Sequence, residues 1–300
     1  MCYTIPIQSE RTLSEMTDKI KSNFHTHTLL CDGINTPEEM VIAAVDKGFD
    51  TLGFSGHCYT AYDESYCMSR ENTLKYKTEI ARLQEKYRGQ LNIMRGIEQD
   101  FGSDEPTDDY DYVIGSVHAL FPNADADSAD NFHGYDRSRY YYIDWSPEET
   151  ERTVKELCSG DPYTMCEHYF RMVSMLPEVT GCNIIGHFDL ITKFNEKHPV
   201  FDEGHHRYVK AALDAVDRLM ENNIIFEINT GAMAKGWKTA PYPAPWILKH
   251  IAAKGGSVII NSDCHNADFL DFAFDKALAL AEDCGVNVLP LLPCLDLQRA

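Results

Sequence analysis

The sequence lacks the features that mark membrane-spanning, secreted and disulfide-stabilised proteins. No segment reaches the apolar length that a transmembrane helix needs, and no basic region followed by a hydrophobic run opens the chain. The ten cysteines include no Cys-x-x-Cys pair and no short cysteine-rich module. We therefore expect a cytoplasmic protein without a membrane partner, in which most cysteines are small buried hydrophobic residues.

Basic residues are also scarce. The chain has 27 Lys and Arg against 47 Asp and Glu, a net charge of −20, which disfavours binding to nucleic acid. The negative net charge does not exclude a small phosphorylated substrate, because bound metal ions can make the local electrostatic field positive. With 300 residues, 44% of them hydrophobic, the chain can bury a large core as one big domain or two modest ones.

Seven short apolar runs are present, and most of them alternate with segments of helical character. The runs lie near residues 23–29, 51–55, 91–97, 110–117, 182–186, 224–229 and 257–261, and helices are predicted at 36–48, 69–88, 147–159, 162–177, 203–222, 243–254 and 268–284. Segment 119–146 is long, aromatic and acidic, without a clear period. This pattern indicates parallel β/α units, in an open doubly wound sheet or a closed barrel.

Polar residues at the ends of these runs favour the barrel. His25 and His27 are two apart on a predicted strand, so their rings point to the same side. The other runs end in comparable side chains: His57, Glu98, His118, His187, Asn229, and Asp263 with His265. A barrel gathers the carboxyl ends of its strands around one mouth, whereas an open sheet spreads them along a line.

Six short motifs in this order resemble the PHP family, whose name stands for polymerase and histidinol phosphatase. They are His25-Thr-His27 with Asp32, Gly56-His57, Gly96-Ile-Glu98, Gly115-Ser-Val-His118, Gly186-His187-Phe-Asp189 and Asp263-Cys-His265. The resemblance covers residues 23–290, and the stretches 186–194 and 227–236 look like the histidinol-phosphate phosphatase branch. It implies a distorted seven-stranded, TIM-like β/α barrel, here a single domain at 23–300 after a leader at 1–22.

The resemblance also implies two to three divalent metal ions. One ion would be held by His25, His27, Glu98 and Asp263, a second by Glu98 as a bridge with His118 and His187, and a third by Asp32, His57 and His265. The residue types agree with this, because imidazoles suit zinc, iron or manganese and carboxylates can bridge close ions. Nine such groups exceed what one ion can use.

The predicted reaction is hydrolysis of a small phosphate monoester, with L-histidinol phosphate of histidine biosynthesis as the expected substrate. A metal-bound hydroxide, held by Glu98, Asp263 and His118, would attack in line and release alcohol and phosphate. No protein nucleophile is needed. Cys31, Cys58 and Cys264 adjoin ligand positions but should tend to point elsewhere.

Several further residues are candidates for binding substrate or for orienting ligands. Lys193 and Lys235 stand where related phosphatases place arginine for phosphate, and Arg137 and Arg139 are substitutes. Asp189, Glu227 and Asn229 could fix ligand rings or simply cap loops. Asp144, Trp145 and the tyrosines at 140–142 could cover a cationic substrate.

Two other functions are compatible with these residues. One is a PHP phosphoesterase acting on another small phosphate, a nucleotide or a sugar phosphate, or a phosphodiesterase of exonuclease type. The other is a non-catalytic metal-binding domain, which the complete set of ligands disfavours. The sequence leaves the oligomeric state open.

Overall fold

The structure is a computed structural model that describes residues 20–122 and 139–293. Its main sheet has eight parallel strands: β1 Ser22–Asn23, β2 Thr51–Phe54, β3 Asn92–Asp100, β4 Tyr112–Ser116, β7 Ile184–Ile185, β8 Ile225–Asn229, β9 Ser257–Asn261 and β10 Asn287–Val288, paired in that order. Two further strands, β5 Ala119–Leu120 and β6 Tyr141–Tyr142, form a separate antiparallel pair. The succession of parallel strands gives the predicted α/β architecture.

Nine α-helices are found in the described residues. They are α1 Pro37–Asp46, α2 Arg70–Lys86, α3 Pro147–Glu156, α4 Pro162–Ser174, α5 Leu176–Thr180, α6 His206–Leu219, α7 Gly231–Ala234, α8 Pro245–Ala253 and α9 Phe274–Cys284. The predicted start of α1 is confirmed: Glu39 N donates to Thr36 Oγ1 at 3.2 Å, and Thr36 N donates to Glu39 Oε2 at 2.8 Å. Within the described ranges, no helix combines the length and the apolar character needed to cross a membrane.

Several boundaries differ from the predicted ones. The helix expected at 162–177 is interrupted at Met175, which separates α4 from α5. The helix expected at 268–284 begins only at Phe274, after a 3₁₀ turn at Ala267–Phe269. The helix α7 lies between the apolar run that ends at residue 229 and the helix expected from residue 243, where no helix was predicted.

The sheet curls into a barrel of the seven predicted strands, and β10 is an additional edge strand. A bridge between Thr26 and Cys264 joins the segment after β1 to the segment after β9, with His27 N donating to Cys264 O at 2.9 Å. Among the described residues, the strand β10 pairs with the first residues of β9 and with no other strand. A two-residue strand carries no detectable period, which explains why the sequence did not predict it.

The inward face of the strands changes from apolar to polar toward their carboxyl ends. A separate apolar cluster contains Phe24, Tyr112, Ile114, Ile184, Ile225 and Ile259. Since inward residues recur every two positions, Ile114 is followed on its face by Ser116, and Ile225 by Glu227. Polar side chains therefore gather above an apolar barrel interior.

Tyr112 fills this interior because two glycines leave room for it. A Cβ placed on Gly53 would lie 2.3 Å from the Tyr112 hydroxyl oxygen, and one on Gly96 would lie 2.2 Å from its ring. The Tyr112 hydroxyl donates to Phe24 O at 2.6 Å, so its polar end is satisfied within the apolar cluster. The glycines of β2 and β3 are thus explained by close packing.

Candidate metal centre

The strand ends bring all nine predicted ligands together at one end of the barrel. They form four overlapping groups in which the candidate ligand atoms lie within 4.8 Å of one another. The groups are His27, Asp32, His57 and His265; His25, Glu98 and His187; His25, His27 and Asp263; and His57, Glu98 and His118. No predicted ligand is left outside this assembly, and that convergence favours the barrel over an open sheet.

The buried carboxylate of Glu98 lies between two sets of histidines. Its Oε1 is 2.9 Å from Nε2 of His187 and 3.4 Å from Nε2 of His118. Its Oε2 is 2.8 Å from Nδ1 of His57 and 3.3 Å from Nε2 of His25. Each oxygen thus faces a different set of imidazoles, as a carboxylate that bridges two ions must.

Two other carboxylates lie at the exposed side of the cluster. Asp263 Oδ1 is 3.1 Å from Nε2 of His27. Asp32 Oδ2 is 3.1 Å from Nε2 of His265 and 3.7 Å from Nε2 of His57. These two groups match the first and third sets of ligands that the family resemblance implies.

Among the described residues, three buried atoms at the centre have no partner in hydrogen-bonding geometry, although other candidate ligand atoms lie close to them. They are Nε2 of His25, Nε2 of His27 and Oε2 of Glu98, on residues that are at most 1% exposed. Leaving such atoms unpaired is costly, whereas a bound cation would use their lone pairs. The residues present therefore fit divalent ions, and the mixture of imidazole and carboxylate suits zinc, manganese or iron.

The electrostatics of the cluster keep its carboxylates charged but act in opposite directions on its histidines. Against the effect of burial, nearby carboxylates raise the pKa of His25, His57 and His118, whereas the pKa of His27 is lowered. Burial alone would raise the pKa of Glu98, but the imidazoles of His57, His25 and His118 hold it well below its usual value. Burial and the neighbouring rings of His265 and His57 lower the pKa of His27 to about 3. At neutral pH, Glu98 is thus an anion and His27 a neutral ring, as metal ligands must be.

Glu227 orients two of the candidate ligands from behind. Its Oε1 lies 2.7 Å from Nδ1 of His25, so that Nε2 of this ring faces the centre. Its Oε2 accepts from the backbone N–H of His187 and from Nδ2 of Asn229, both at 2.8 Å. Asn229 Nδ2 also lies 3.3 Å from Oδ2 of Asp263. Glu227 and Asn229 therefore occupy the predicted supporting positions.

Two candidate ligands have unusual backbone conformations. His187 and Asp263 adopt φ angles of 22° and 49°, in a region that side-chain-bearing residues rarely occupy. Close packing surrounds Asp263, because a Cβ on Gly231 would lie 2.9 Å from its Oδ2. Such strain persists where the surrounding structure imposes it, commonly at functional sites.

Asp100 is a supporting residue that the sequence analysis missed. Its Oδ2 lies 3.0 Å from Nδ1 of His118, leaving Nε2 of that ring directed toward Glu98. A signal was present, since Asp100 follows Glu98 by two residues on β3 and therefore shares its face.

Of the two roles expected for Asp189, orienting a ligand ring or capping a loop, its contacts in the described residues favour the second. Its Oδ2 accepts from the backbone N–H of Ala244 at 3.0 Å, and no hydrogen bond joins it to a ligand ring in the described residues. Burial raises the pKa of Asp189 to about 6, although Lys238 opposes this. Its carboxylate thus fixes the backbone before α8.

One cysteine also departs from expectation. Sγ of Cys31 lies 3.6 Å from Nδ1 of His27 rather than pointing elsewhere. Burial raises the pKa of the Cys31 thiol to about 12, so it is protonated at neutral pH and is a poor nucleophile.

A cavity of about 250 Å³ opens onto the cluster. It is lined by Asp32, His57, Tyr66, Glu98, His118, Tyr142, Asp144, Trp145, His187, Leu190, Lys193, Ala232, Lys235, Tyr242, Asp263 and His265. Both predicted phosphate-binding lysines and the recognition candidates Asp144 and Trp145 are among them. The indole of Trp145 is 56% exposed and stacks on Tyr142, with ring centroids 5.3 Å apart.

One of the two arginine substitutes, Arg139, does not join this lining. Arg139 donates to the hydroxyl of Tyr141 at 3.0 Å and is not among the residues that line the cavity. Its predicted contact with phosphate stays a prediction that these contacts do not support. Arg137 lies outside the described residues.

The chain is similar to known proteins in both sequence and fold. A family model described as the PHP domain matches residues 23–231. The chain is 29% identical over 285 residues to the histidinol-phosphatase of Bacillus subtilis, covering 86% of this chain and 98% of that protein. It is 28% identical over 274 residues to a protein of Deinococcus radiodurans named "Probable histidinol-phosphatase", covering 87% and 92%.

A solved structure supports the fold. Histidinol phosphate phosphatase from Lactococcus lactis, crystallised with zinc, L-histidinol and phosphate, superposes with a TM-score of 0.62. The match covers 90% of this chain and 95% of that one at 18% identity. A curled parallel β/α sheet is thus common to both proteins.

Proposed function

Because the chain belongs to the PHP domain family, we propose that it is a metal-dependent phosphatase that hydrolyses L-histidinol phosphate to L-histidinol and phosphate, a step of histidine biosynthesis. The observation that carries this proposal is the convergence of nine imidazole and carboxylate ligands on one cavity. The names of the Bacillus and Deinococcus relatives support the substrate, as does the product pair bound in the Lactococcus enzyme.

The nine converging residues would hold two to three divalent ions, zinc, manganese or iron. Such ions lower the pKa of a water that they bind and neutralise phosphoryl oxygens, which is the chemistry that ester hydrolysis needs. Glu98 presents one oxygen to each set of histidines, and Glu227 and Asp100 hold the rings of His25 and His118 in place.

The two cavity lysines would bind the phosphoryl group. Lys193 and Lys235 both line the cavity and bring positive charge to a lining that otherwise carries four carboxylates. A lysine contributes a point charge rather than the two-point fork of arginine, so orientation of the phosphate depends more on the metals. The exposed indole of Trp145 would cover the imidazole of the substrate at the rim.

We also place the enzyme in the cytoplasm, as one domain at 23–300 that acts on a small substrate. The eight cysteines of the described residues are all free thiols, which suits a reducing compartment. The net charge of −20 disfavours a polynucleotide substrate.

The test is phosphate release by the purified protein from L-histidinol phosphate, with nucleoside monophosphates and sugar phosphates alongside. We expect hydrolysis of L-histidinol phosphate to disappear after dialysis against a chelator and to return on addition of zinc or manganese. Elemental analysis should find two to three ions per chain before dialysis. Turnover that is insensitive to the chelator, or no turnover with any of these metals, would contradict the proposal.

A further inference from the structure

One carboxylate of the cavity lies outside the candidate metal groups. Four carboxylates line the cavity: Asp32, Glu98, Asp144 and Asp263. Three of them belong to the groups of converging ligands found in the described residues, and Asp144 belongs to none. Asp144 is therefore the carboxylate left to interact with something other than a metal ion.

Asp144 and Lys193, which both line the cavity, form an ion pair. Nζ of Lys193 donates to the backbone carbonyl of Asp144 at 2.6 Å and lies 3.3 Å from its Oδ2. The side chain of Asp144 is only 17% exposed and that of Lys193 only 14%. Oδ1 of Asp144 accepts no hydrogen bond from the described residues. Burial raises the pKa of Asp144, but the nearby charges of Lys193, His118 and His187 outweigh this effect and lower the pKa, so the side chain is an anion.

Stability does not account for this ion pair. A pair that is largely withdrawn from water gains little net stability, because desolvation of the two charges offsets their attraction. Both partners also face the cavity, where a ligand can reach them. The carboxylate and the ammonium of this pair are 3.3 Å apart. Together they could bind a ligand that carries a positive and a negative group close to each other.

L-Histidinol phosphate has such a charge pattern, since its ammonium and its phosphate ester are on adjacent carbons. Building on the proposed function, we propose that Asp144 and Lys193 together recognise phosphate esters of amino alcohols. Asp144 contacts the ammonium through Oδ1, which accepts no hydrogen bond within the described part of the chain, and Lys193 contacts the phosphate. Sugar phosphates and nucleotides, which lack an ammonium next to the ester, would leave Asp144 without its partner.

The test compares substrates with and without an ammonium, on zinc-loaded full-length protein. The variants are Asp144→Asn, Lys193→Gln and the surface control Asp214→Asn, whose carboxylate is 63% exposed. Values of kcat and KM are measured on L-histidinol phosphate and on p-nitrophenyl phosphate. Calorimetry measures the binding of L-histidinol, which keeps the ammonium and has no phosphate.

For Asp144→Asn we expect kcat/KM on L-histidinol phosphate to fall roughly 10- to 100-fold, mostly through KM, because a charge-assisted hydrogen bond is lost. On p-nitrophenyl phosphate the loss should stay below about 3-fold. L-Histidinol should bind correspondingly more weakly to Asp144→Asn. Lys193→Gln should lose activity on both substrates, and Asp214→Asn on neither.

Equal losses on both substrates by Asp144→Asn would overturn the inference, since they would mean that Asp144 only positions Lys193. The proposed function fails separately, when the unmodified protein hydrolyses no phosphate ester. In that case calorimetry still decides, because weaker L-histidinol binding by Asp144→Asn supports ammonium recognition and unchanged binding excludes it.

Discussion

The metal centre and the cavity wall are built from different parts of the chain. The metal centre, the nine converging ligands, follows the ends of strands, and most of its side chains are buried. The cavity wall, formed by Asp144, Trp145, Lys193 and Lys235, comes from connecting segments and is more exposed. Under the proposed function, the barrel therefore fixes the groups that would carry out the chemistry, whereas the connections supply the groups that would choose the substrate.

The strongest test of this division removes the charge of Glu98. In Glu98→Gln an amide replaces the carboxylate that faces both sets of histidines, so bridging is lost. We expect kcat to fall roughly 1,000-fold or more, with loss of at least one bound ion. Turnover and elemental analysis measure the two effects.

The control is Glu85→Gln, on an exposed residue of α2. It should retain the metal content and the turnover of the unmodified protein. If Glu98→Gln kept all its metal and altered only KM, Glu98 would behave as a cavity-wall residue, and the contrast between the two regions would disappear.

The sequence predicted the metal centre well because strand geometry is regular. Two-residue spacing places His25 and His27 on one face, and parallel strands bring their carboxyl ends to one mouth. All nine ligand positions converge as expected, although their binding of metal stays a prediction. Asp100 was accessible to the same reasoning, being two residues beyond Glu98.

The cavity wall was less predictable because its contacts depend on chain segments without a period. Lys193 and Asp144 are 49 residues apart, and no local pattern links them. Asp189 illustrates the same difficulty, since its partner is the backbone of Ala244, 55 residues away. Arg139 shows the same difficulty, because it was a substitute candidate for phosphate binding by its residue type alone, and its side chain contacts Tyr141.

An intermediate effect is expected at Glu227, which lies behind the metal centre and orients it. Glu227→Gln weakens the contact with Nδ1 of His25 and places an amide near the backbone N–H of His187. We expect metal affinity or kcat to fall roughly 10- to 100-fold, as for other groups that orient ligand rings. Metal competition with a chromophoric chelator measures the affinity.

The matched control is Glu221→Gln, an exposed carboxylate after α6. It should leave affinity unchanged. A loss at Glu227→Gln as large as that at Glu98→Gln would mean that Glu227 ligates an ion itself, which would enlarge the metal centre.

The smallest effect is expected at Trp145, on the exposed side of the cavity wall. Trp145→Ala removes an indole that stacks on Tyr142 and is 56% exposed, so the folded state should lose little stability. We expect KM for L-histidinol phosphate to rise roughly 3- to 10-fold with kcat and metal content nearly unchanged, because an aromatic contact is worth about 0.5–1.5 kcal/mol. Trp145→Phe should restore most of the affinity, since stacking needs a ring rather than the indole N–H. Steady-state kinetics on both variants measure these changes in KM and kcat. A fall in kcat with unchanged KM would show that Trp145 acts on the chemical step, which would contradict the division of roles between the metal centre and the cavity wall.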